Sequence, residues 1–383
     1  MLQSALYLPM IRGREGEINA IHRLSPLARA RIALIVDLPT KEIGPAASLD
    51  QYVSSFVSEI AAAWGTSRSI YLDMNRYGPE QLDRHQRHIV EHLFECARQK
   101  RLQAVPVAGT DRGPGITYNK AIAGIAASDS RGAALRLPYE DFSDPDVLKN
   151  VLVTALKELN LAASEVDLIL DAGSLEAMPT SQASEEHLLA TVLEALEVIQ
   201  PHGFRSLIFA GSSVPESLPA LPDDAPRIIE RVELRVWRQL LRKSQLPLIR
   251  FSDTGVWSPR QLDSGGGGGG PAPARVRIPI SDKQVFFRAE ATRYLNCCQE
   301  ALKYPGVRDL PRCWGLDAIA GVGRGGTRPE AASTWVARDM NTHIELTARL
   351  VEQELRSHNR LTDLSLAPIE ADPWSQELLG LTE

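Results

Sequence analysis

The sequence predicts a single (β/α)8 barrel with a C-terminal extension made of a β-hairpin and helices. Two observations support this fold class. Short apolar segments rich in β-forming residues alternate with amphipathic segments along most of the chain, and eight such apolar segments occur. The length of 383 residues is also sufficient for one large α/β barrel with additions.

The eight apolar segments are the predicted strands. Several are continuous apolar runs without a polar–apolar alternation, as expected of parallel strands that are covered on both faces. They are Ala5–Ile11, Ile32–Leu38, Ser69–Met74, Gln103–Val107, Ala133–Leu137, Asp167–Leu170, Ser206–Ala210 and Pro247–Phe251.

The segments between the strands have the period of amphipathic helices. Val53, Phe56, Val57 and Ile60 follow the i, i+3, i+4, i+7 spacing of one helix face. A similar stripe predicts a helix that includes Ile228, Ile229, Val232, Val236 and Leu240. A doubly wound open sheet is the alternative arrangement. We favour the barrel because no predicted strand is followed by the glycine fingerprint of a dinucleotide-binding sheet.

The chain changes character after the eighth strand. Residues 1–260 form the predicted barrel, and residues 261–274 form a flexible loop that is rich in glycine and proline and includes Gly265–Gly270. Residues 275–383 follow as a hairpin and helices. One of the late helices can close the ring as the eighth barrel helix, which would make the hairpin an insertion over the barrel mouth.

The later elements have clear boundaries in the pattern. Two strands, Arg275–Ile280 and Gln284–Arg288, flank a short turn and predict the hairpin. Helical patterns follow at Ala291–Leu302 and Ser333–Glu354.

Composition and charge limit the partners and the cellular location that we expect. The formal net charge of −6 does not indicate a nucleic-acid partner, although a local basic groove is compatible with an acidic average. The sequence has no membrane-spanning apolar run and no signal-peptide pattern. Its four cysteines lack the spacing of a zinc site. We therefore expect reduced thiols and a cytoplasmic location.

Charged residues near the ends of the predicted strands mark the candidate site. In a (β/α)8 barrel the functional groups stand at the carboxyl ends of the strands. Asp37, Asp73 and Asp171 each end an apolar strand, and we take them as candidate catalytic residues. A divalent metal is a possible cofactor for such a group of acids. The candidate ligand-binding residues are Arg12, Arg136, Arg250, Asp253, Arg288, Trp335 and His343.

A purely structural interpretation of the same residues is equally consistent with the sequence. Arg12, Arg136 and Arg250 can form ion pairs with the aspartates and close the barrel top without chemistry. A buried charge is costly unless it is paired, solvated or bound to a metal, and pairing satisfies that requirement.

Several short segments resemble a known family. The opening Leu6–Glu17 and the segment Leu34–Pro39 are similar to the start of the beta family proteins of phages and bacteria. Phe251–Gly255, Cys313–Asp317 and Asn341–His343 resemble its later signatures, and the likeness runs in order over nearly the whole chain.

Two positions depart from the family pattern. Leu316 interrupts a Trp-Gly-Asp element, and Thr342 replaces the first histidine of a His-His pair. The resemblance implies no established activity and associates the chain with conflict between phages and their hosts.

Three functions therefore remain open at the level of sequence. The first is recognition of a ligand or protein partner at the barrel mouth, within a phage-defence or phage-encoded system. The second is a phosphodiester-directed hydrolase that uses the mouth aspartates with Arg12, Arg136 and Arg288. The third is a structural protein whose mouth charges only pair with one another.

Overall fold

The computed structural model shows a closed barrel with an added β-sheet and helices. It describes residues 5–40, 48–78, 81–112, 117–176, 182–216, 226–243, 248–260, 273–291, 293–326 and 331–361. The predicted glycine-rich segment Gly265–Gly270 lies outside these residues.

Eight parallel strands form the barrel, and each predicted strand is found. The ring closes where the first strand pairs with the last, with Tyr7 opposite Phe251 and Pro9 opposite Asp253. The predicted fold class is confirmed. The barrel strands are β1 Tyr7–Ile11, β2 Leu34–Asp37, β3 Ser69–Asp73, β4 Gln103–Gly109, β5 Ala133–Pro138, β6 Val166–Ser174, β7 Ser206–Ser212 and β9 Ile249–Asp253.

The strands divide their residues between an interior and an outer layer. Leu8, Met10, Ile35, Val105 and Ile208 belong to a separate apolar cluster that fills the barrel. Side chains of alternate residues point to opposite faces of a strand, so the residues between them pack outward against the helices. This alternation decides which charged residues reach the mouth.

Helices surround the barrel and cover the outer face of the strands. Ser25 and Ser48 cap two of them by accepting hydrogen bonds from backbone amides in the first turn. The helices that follow barrel strands β1 to β7 are α1 Glu15–His22, α2 Pro26–Arg31, α3 Leu49–Trp64, α4 Ile89–Gln99, α5 Thr117–Asp129, α6 Tyr139–Phe142, α7 Pro145–Leu159, α8 Gln182–Ile199 and α9 Val232–Lys243.

The last helix closes the ring. Helix α12, Ala332–Ser357, packs against α1 and α2 on one side. On the other side Arg238 of α9 forms an ion pair with Glu354 at 2.8 Å. Met340, Ile344, Ala348, Val351 and Leu355 of α12 join the outer core of the barrel. It therefore occupies the place of the eighth barrel helix.

The segment between β9 and α12 carries a small sheet with its own core. The predicted hairpin is present as β10 Pro273–Ile280 and β11 Lys283–Ala291. Two further helices, α10 Tyr294–Lys303 and α11 Trp314–Gly323, pack against it around Val276, Phe287 and Cys298.

One predicted helix begins later than its apolar stripe suggests. Ile228 and Ile229 lie in a strand, β8 Arg227–Glu230, which pairs antiparallel with β11 and makes the added sheet three-stranded. Helix α9 begins at Val232. The prediction was wrong here because two β-branched residues next to each other satisfy a helical stripe and a strand equally well.

No helix among the described residues has both the length and the apolar character needed to cross a membrane.

Candidate functional site

The alternation of the strands brings five charged residues into the interior at the carboxyl end of the barrel. Each stands two positions after a residue of the apolar cluster that fills the barrel. Its side chain therefore also points into the barrel. Thus Asp37 follows Ile35 and Asp73 follows Tyr71. The same relation places Arg12, Arg136 and Asp171 there. Three of the predicted acids therefore meet at the mouth, as expected from the sequence.

Arg136 lies at the centre of the three aspartates, which we call the acid ring. Its Nη1 is 3.4 Å from Asp37 Oδ1 and 3.1 Å from Asp73 Oδ2. Its Nε and Nη2 donate to Asp171 Oδ2 at 2.8 and 2.6 Å. Burial alone would lower the pKa of Arg136, but the three carboxylates, Asp171 most of all, raise it well above its usual value. Arg136 therefore remains a cation, as arginine side chains do.

Asp73 is the most deeply buried member of the acid ring. Arg112, which follows β4, contacts its Oδ2 at 2.9 Å, while Asp73 Oδ1 is buried without a hydrogen bond. Burial raises the pKa of Asp73 to about 6, and the charge of Asp37 adds to this effect while Arg112 and Arg136 oppose it. The Asp73 carboxylate therefore takes up a proton at a higher pH than an ordinary aspartate does.

The position where the three carboxylates converge is occupied by the guanidinium of Arg136. Within the described part of the chain, no three histidine, cysteine, aspartate or glutamate side chains are arranged to hold a metal ion. With Arg136 in this position, the acid ring agrees better with the structural interpretation, in which the charges pair, than with a metal site.

A second group of charges lies on the β9–β1 side of the mouth and contains arginines around Trp257. The guanidinium carbons of Arg12, Arg14 and Arg277 lie 6.0, 5.8 and 5.7 Å from the centre of the Trp257 ring. Arg12 also donates to the Ser258 carbonyl at 2.7 Å. These distances are within the range of cation–π attraction.

The hairpin adds two more arginines to this group. Arg275 and Arg277 lie on one face of β10, and Arg288 is the cross-strand partner of Arg275 on β11. Burial lowers the pKa of Arg275, and the neighbouring charges of Arg277 and Arg288 lower it further. We call Arg12, Arg14, Arg275, Arg277 and Arg288 the arginine cluster.

A carboxylate of α12 is bound directly to the arginine cluster. Asp339 accepts from the backbone N–H of Arg277 and from its Nη1, both at 3.1 Å. Burial raises the pKa of Asp339 to about 7, although Arg277 opposes the effect. The carboxylate of Glu17 is close to Arg12 and Arg14 but accepts from their backbone amides at 3.0 to 3.1 Å.

Asp253 and His343 belong to a buried network between the barrel and the extension, and not to the open mouth. Asp253 lies one position after the inward-facing Ser252 and faces α12, where its Oδ2 is 2.9 Å from His343 Nε2 and 2.9 Å from Arg231 Nη2. Burial would raise the pKa of Asp253, but His343, Arg231 and the hydroxyl of Tyr7 hold it well below its usual range. Burial lowers the pKa of His343. We call these residues the Asp253 network.

The Asp253 network continues into the added sheet and helix α9. The other ring nitrogen of His343 is 3.2 Å from Gln284 Oε1 of β11. Glu233 lies 3.7 Å from Arg231 and accepts from the amide and hydroxyl of Ser213. Burial raises the pKa of Glu233 to about 7. The network connects the barrel to the hairpin and to α12.

Two other predicted site residues lie away from the mouth. Arg250 was expected at the carboxyl end of its strand, but β9 begins at Ile249, so Arg250 stands at the amino end and donates to the Ala5 carbonyl at 2.8 Å. Trp335 is buried and stacks on Tyr294 at 4.3 Å, while Arg338 covers it at 4.5 Å. Both positions provide structural contacts and are not exposed to the mouth.

Three residues in or beside the arginine cluster were not predicted from the sequence. Trp257 follows β9, and Arg275 and Arg277 lie on the hairpin strand β10. A partial signal exists, because Arg275 and Arg277 alternate with apolar residues on the predicted hairpin. That pattern indicates a polar face but does not show that the face turns toward the barrel.

Two of the segments that suggested the family resemblance lie where helices contact each other. A Cβ on Gly315 would lie 2.2 Å from the Arg338 carbonyl and 2.2 Å from Thr342 Oγ1, so α11 and α12 can cross this closely only with glycine at that position. Asn341 accepts from the Gly315 amide and donates to the carbonyls of Ala20 and Arg23 at the end of α1.

The fold and the site define a (β/α)8 barrel whose mouth carries an acid ring on one side and an arginine cluster on the other. The family model described as "Beta protein" matches residues 7–349, and the chain belongs to that family. This confirms the family resemblance noted in the sequence.

The solved structures that match this chain are distant from it. One is the enoyl reductase domain of MlnA from the macrolactin biosynthesis cluster of Bacillus amyloliquefaciens, at 11% identity and a TM-score of 0.36, which covers 95% of this chain and 83% of its own. Another is a putative dihydrodipicolinate synthase family protein from Coccidioides immitis, at 10% identity and a TM-score of 0.31, with 99% of this chain and 96% of its own covered. No curated protein matches the chain.

Proposed function

We propose that this protein is a ligand-binding barrel that recognises a phosphate-bearing ligand through the arginine cluster at its mouth. The observation that carries the proposal is the environment of Arg275. The described charged groups that shift its pKa most are the two arginines Arg277 and Arg288, and its Nε is buried without a hydrogen bond.

The chemistry of arginine favours a phosphate group as the ligand. Like charges repel one another at short distance, so a group of arginines becomes more stable when an anion binds among them. The planar guanidinium presents two parallel N–H groups that match phosphate oxygens. Several arginines together suit a multiply charged anion better than a single carboxylate.

The acid ring supports the same proposal from the other side of the mouth. Its carboxylates are engaged by Arg136 and Arg112, so they hold those arginines in place. A ligand anion would be repelled from the acid ring and attracted to the arginine cluster, which fixes its orientation in the mouth.

Calorimetric titration with inorganic phosphate and pyrophosphate tests the proposal. We expect saturable binding of pyrophosphate that weakens at higher salt. Arg275→Gln and Arg288→Gln should each weaken binding by about tenfold, which corresponds to about 1.4 kcal/mol.

Arg356→Gln provides the matched control, because Arg356 is 60% exposed and pairs with Glu352 on α12. Its affinity should equal that of the unchanged protein. Equal affinities in all four proteins, or no binding of either anion, would refute the proposal.

One observation favours the second candidate, a phosphodiester-directed hydrolase. The pKa of Asp73, raised to about 6, lies in the range useful for a general acid or base. If Asp73 acts as a base, hydrolysis of bis(4-nitrophenyl) phosphate should rise with pH through about 6 and be lost in Asp73→Asn. An activity that Asp73→Asn retains would eliminate this candidate.

The role in a phage-defence or phage-encoded system is a prediction from the family resemblance. Plaque formation on host cells with and without the protein tests it, with the Arg275→Gln variant as the comparison. Equal plaque counts across a set of phages would count against it.

A further inference from the structure

A cavity of about 390 Å3 lies beside the mouth between the end of β4 and helices α5 and α7. Its walls include Arg112, Tyr118, Asn119, Val151 and Thr154. The volume is within the range of small-molecule sites and corresponds to roughly ten water molecules. A single bridging water therefore does not fill it.

Two buried polar atoms on its walls have no hydrogen-bond partner. Arg112 is 5% exposed, and its Nε is a donor without an acceptor. Asn119 Oδ1 is an acceptor without a donor. The orientation of the Asn119 amide is set by Nδ2, which donates to Glu158 Oε2 at 3.1 Å. A buried polar atom without a partner is costly, and both atoms belong to side chains that line the cavity. A small rotation of either side chain toward the cavity would let a ligand supply the missing partner.

Arg112 Nε and Asn119 Oδ1 together determine which hydrogen-bonding groups a ligand needs. Ammonium groups only donate, so they would leave Arg112 Nε without an acceptor. An anion could accept from Nε but would face Glu158 and the nearby Asp111, which is 3.0 Å from Arg112 Nη1. A hydroxyl group both donates and accepts, and can satisfy both atoms.

The rest of the wall also suits a molecule with several hydroxyl groups. Thr154 adds a hydroxyl group and Asn150 an amide oxygen around the opening. The Thr110 hydroxyl donates to Asp141, and Asn150 Nδ2 donates to the Asp146 carbonyl. Val151, Ala155 and the ring of Tyr118 provide an apolar surface. The Tyr118 hydroxyl is already used, since it donates to the Val107 carbonyl at 2.9 Å. A sugar ring combines polar edges with an apolar C–H face.

We propose that this cavity binds a small neutral ligand with several hydroxyl groups, of the monosaccharide or polyol class. The site is independent of the arginine cluster, because none of the five arginines in that cluster lines it.

The test is calorimetric titration of the full chain with glucose, ribose, glycerol and inositol. We expect at least one of them to bind saturably. Thr154→Phe should weaken that binding at least tenfold, because the phenyl ring at this exposed lining position fills the opening. Asn119→Leu should weaken it by removing the acceptor.

Val153→Phe is the matched control. Val153 is the neighbouring residue on α7, is 62% exposed and does not line the cavity. Its binding should be unchanged, and thermal melts should show that all three variants are folded.

Charged analogues of the same ring test the predicted class. Glucosamine should bind more weakly than glucose, as should glucose 6-phosphate measured in an Arg275→Gln background, where the arginine cluster is impaired. The proposal is overturned if no neutral compound binds, if Thr154→Phe binds as well as Val153→Phe, or if a charged analogue binds more tightly.

Discussion

Single residues at the carboxyl end of the barrel interior show how the charge is organised. Below them the interior is apolar, with Ile35, Ala134 and Ile169 in one cluster. Two residues further along the same strands, the side chains become Asp37, Arg136 and Asp171. The change from apolar to charged residues therefore marks where the packed barrel ends and the mouth begins.

The acid ring predicts a large cost for removing its central cation. Arg136→Gln leaves Asp37, Asp73 and Asp171 close together without the charge that all three contact. We expect a loss of about 3–5 kcal/mol in the free energy of unfolding. Urea unfolding monitored by circular dichroism measures it, with the exposed Arg356→Gln as control. A loss as small as that of the control would show that the ion pairs of Arg136 with the acid ring do not stabilise the fold.

Glu233 predicts a pH dependence of stability. Its pKa is raised from 4.5 to about 7 by burial, so the folded protein holds a proton that the unfolded chain releases. This contribution is present below about pH 4.5 and is lost as the pH rises through about 7. Glu233→Gln should therefore flatten the fall in stability over that window.

Unfolding of the two proteins at several pH values from about 4.5 to about 7.5 measures the difference in slope. Glu194→Gln, at an exposed position of α8, should keep the slope of the unchanged protein. Identical slopes for Glu233→Gln and Glu194→Gln would contradict the assignment.

At the scale of elements, the added sheet and α12 are held to the barrel by the Asp253 network. His343 lies between Asp253 of β9 and Gln284 of β11. The place of His343 on α12 follows from residue spacing. Its two partners, Asp253 and Gln284, are 90 and 59 residues away along the chain. This is why His343 was predicted as a ligand-binding residue and was found in a structural contact.

His343→Phe should weaken this attachment. The ring fills similar space but leaves a buried carboxylate and a buried amide without one partner each, at a cost of about 1–3 kcal/mol per group. Hydrogen exchange should become faster in β11 and α12 while the amides of β3 and β4 remain protected. Unchanged exchange in β11 would show that the contact does not hold the sheet in place.

The sequence predicted elements better than it predicted their partners. The eight barrel strands and the hairpin follow from apolar runs and turn residues, which are local signals. Strand β8 was missed because Ile228 and Ile229 also fit a helix face, and only pairing with β11 decides between the two. The arginines on the hairpin are visible in the sequence, but the direction in which the hairpin packs is a tertiary property.

At the scale of the whole molecule, the barrel and its extension are held together by one helix, α12, which packs in both cores. Helix α12 contributes Met340, Ile344 and Val351 to the core around the barrel and Trp335 to the core of the extension. A chain that ends at residue 260 therefore exposes apolar surface of β1, α1 and α2, which α12 covers in the full chain. We expect it not to fold cooperatively.

Thermal unfolding of residues 1–260, compared with the full chain, checks this expectation. A cooperative transition in the fragment would mean that the eighth helix is dispensable and that the barrel is an independent domain.

The distribution of charge over the mouth is also a property of the whole molecule. Acids and arginines are interspersed along the sequence, and the overall net charge of −6 gives no sign of a basic region. The closed barrel and the packing of the hairpin separate the charges into two groups, and this separation forms the basis of the proposed ligand selectivity.

The most direct test of that claim is the effect of pyrophosphate on the melting of the protein. At about 100 times its dissociation constant, pyrophosphate should stabilise the unchanged protein and Arg356→Gln by about 2.7 kcal/mol. The same concentration should stabilise Arg275→Gln less, by a difference of about 1 kcal/mol or more, roughly the effect of a tenfold weaker affinity. Equal stabilisation of all three proteins, or none, would contradict a role of the arginine cluster in binding a phosphate-bearing ligand.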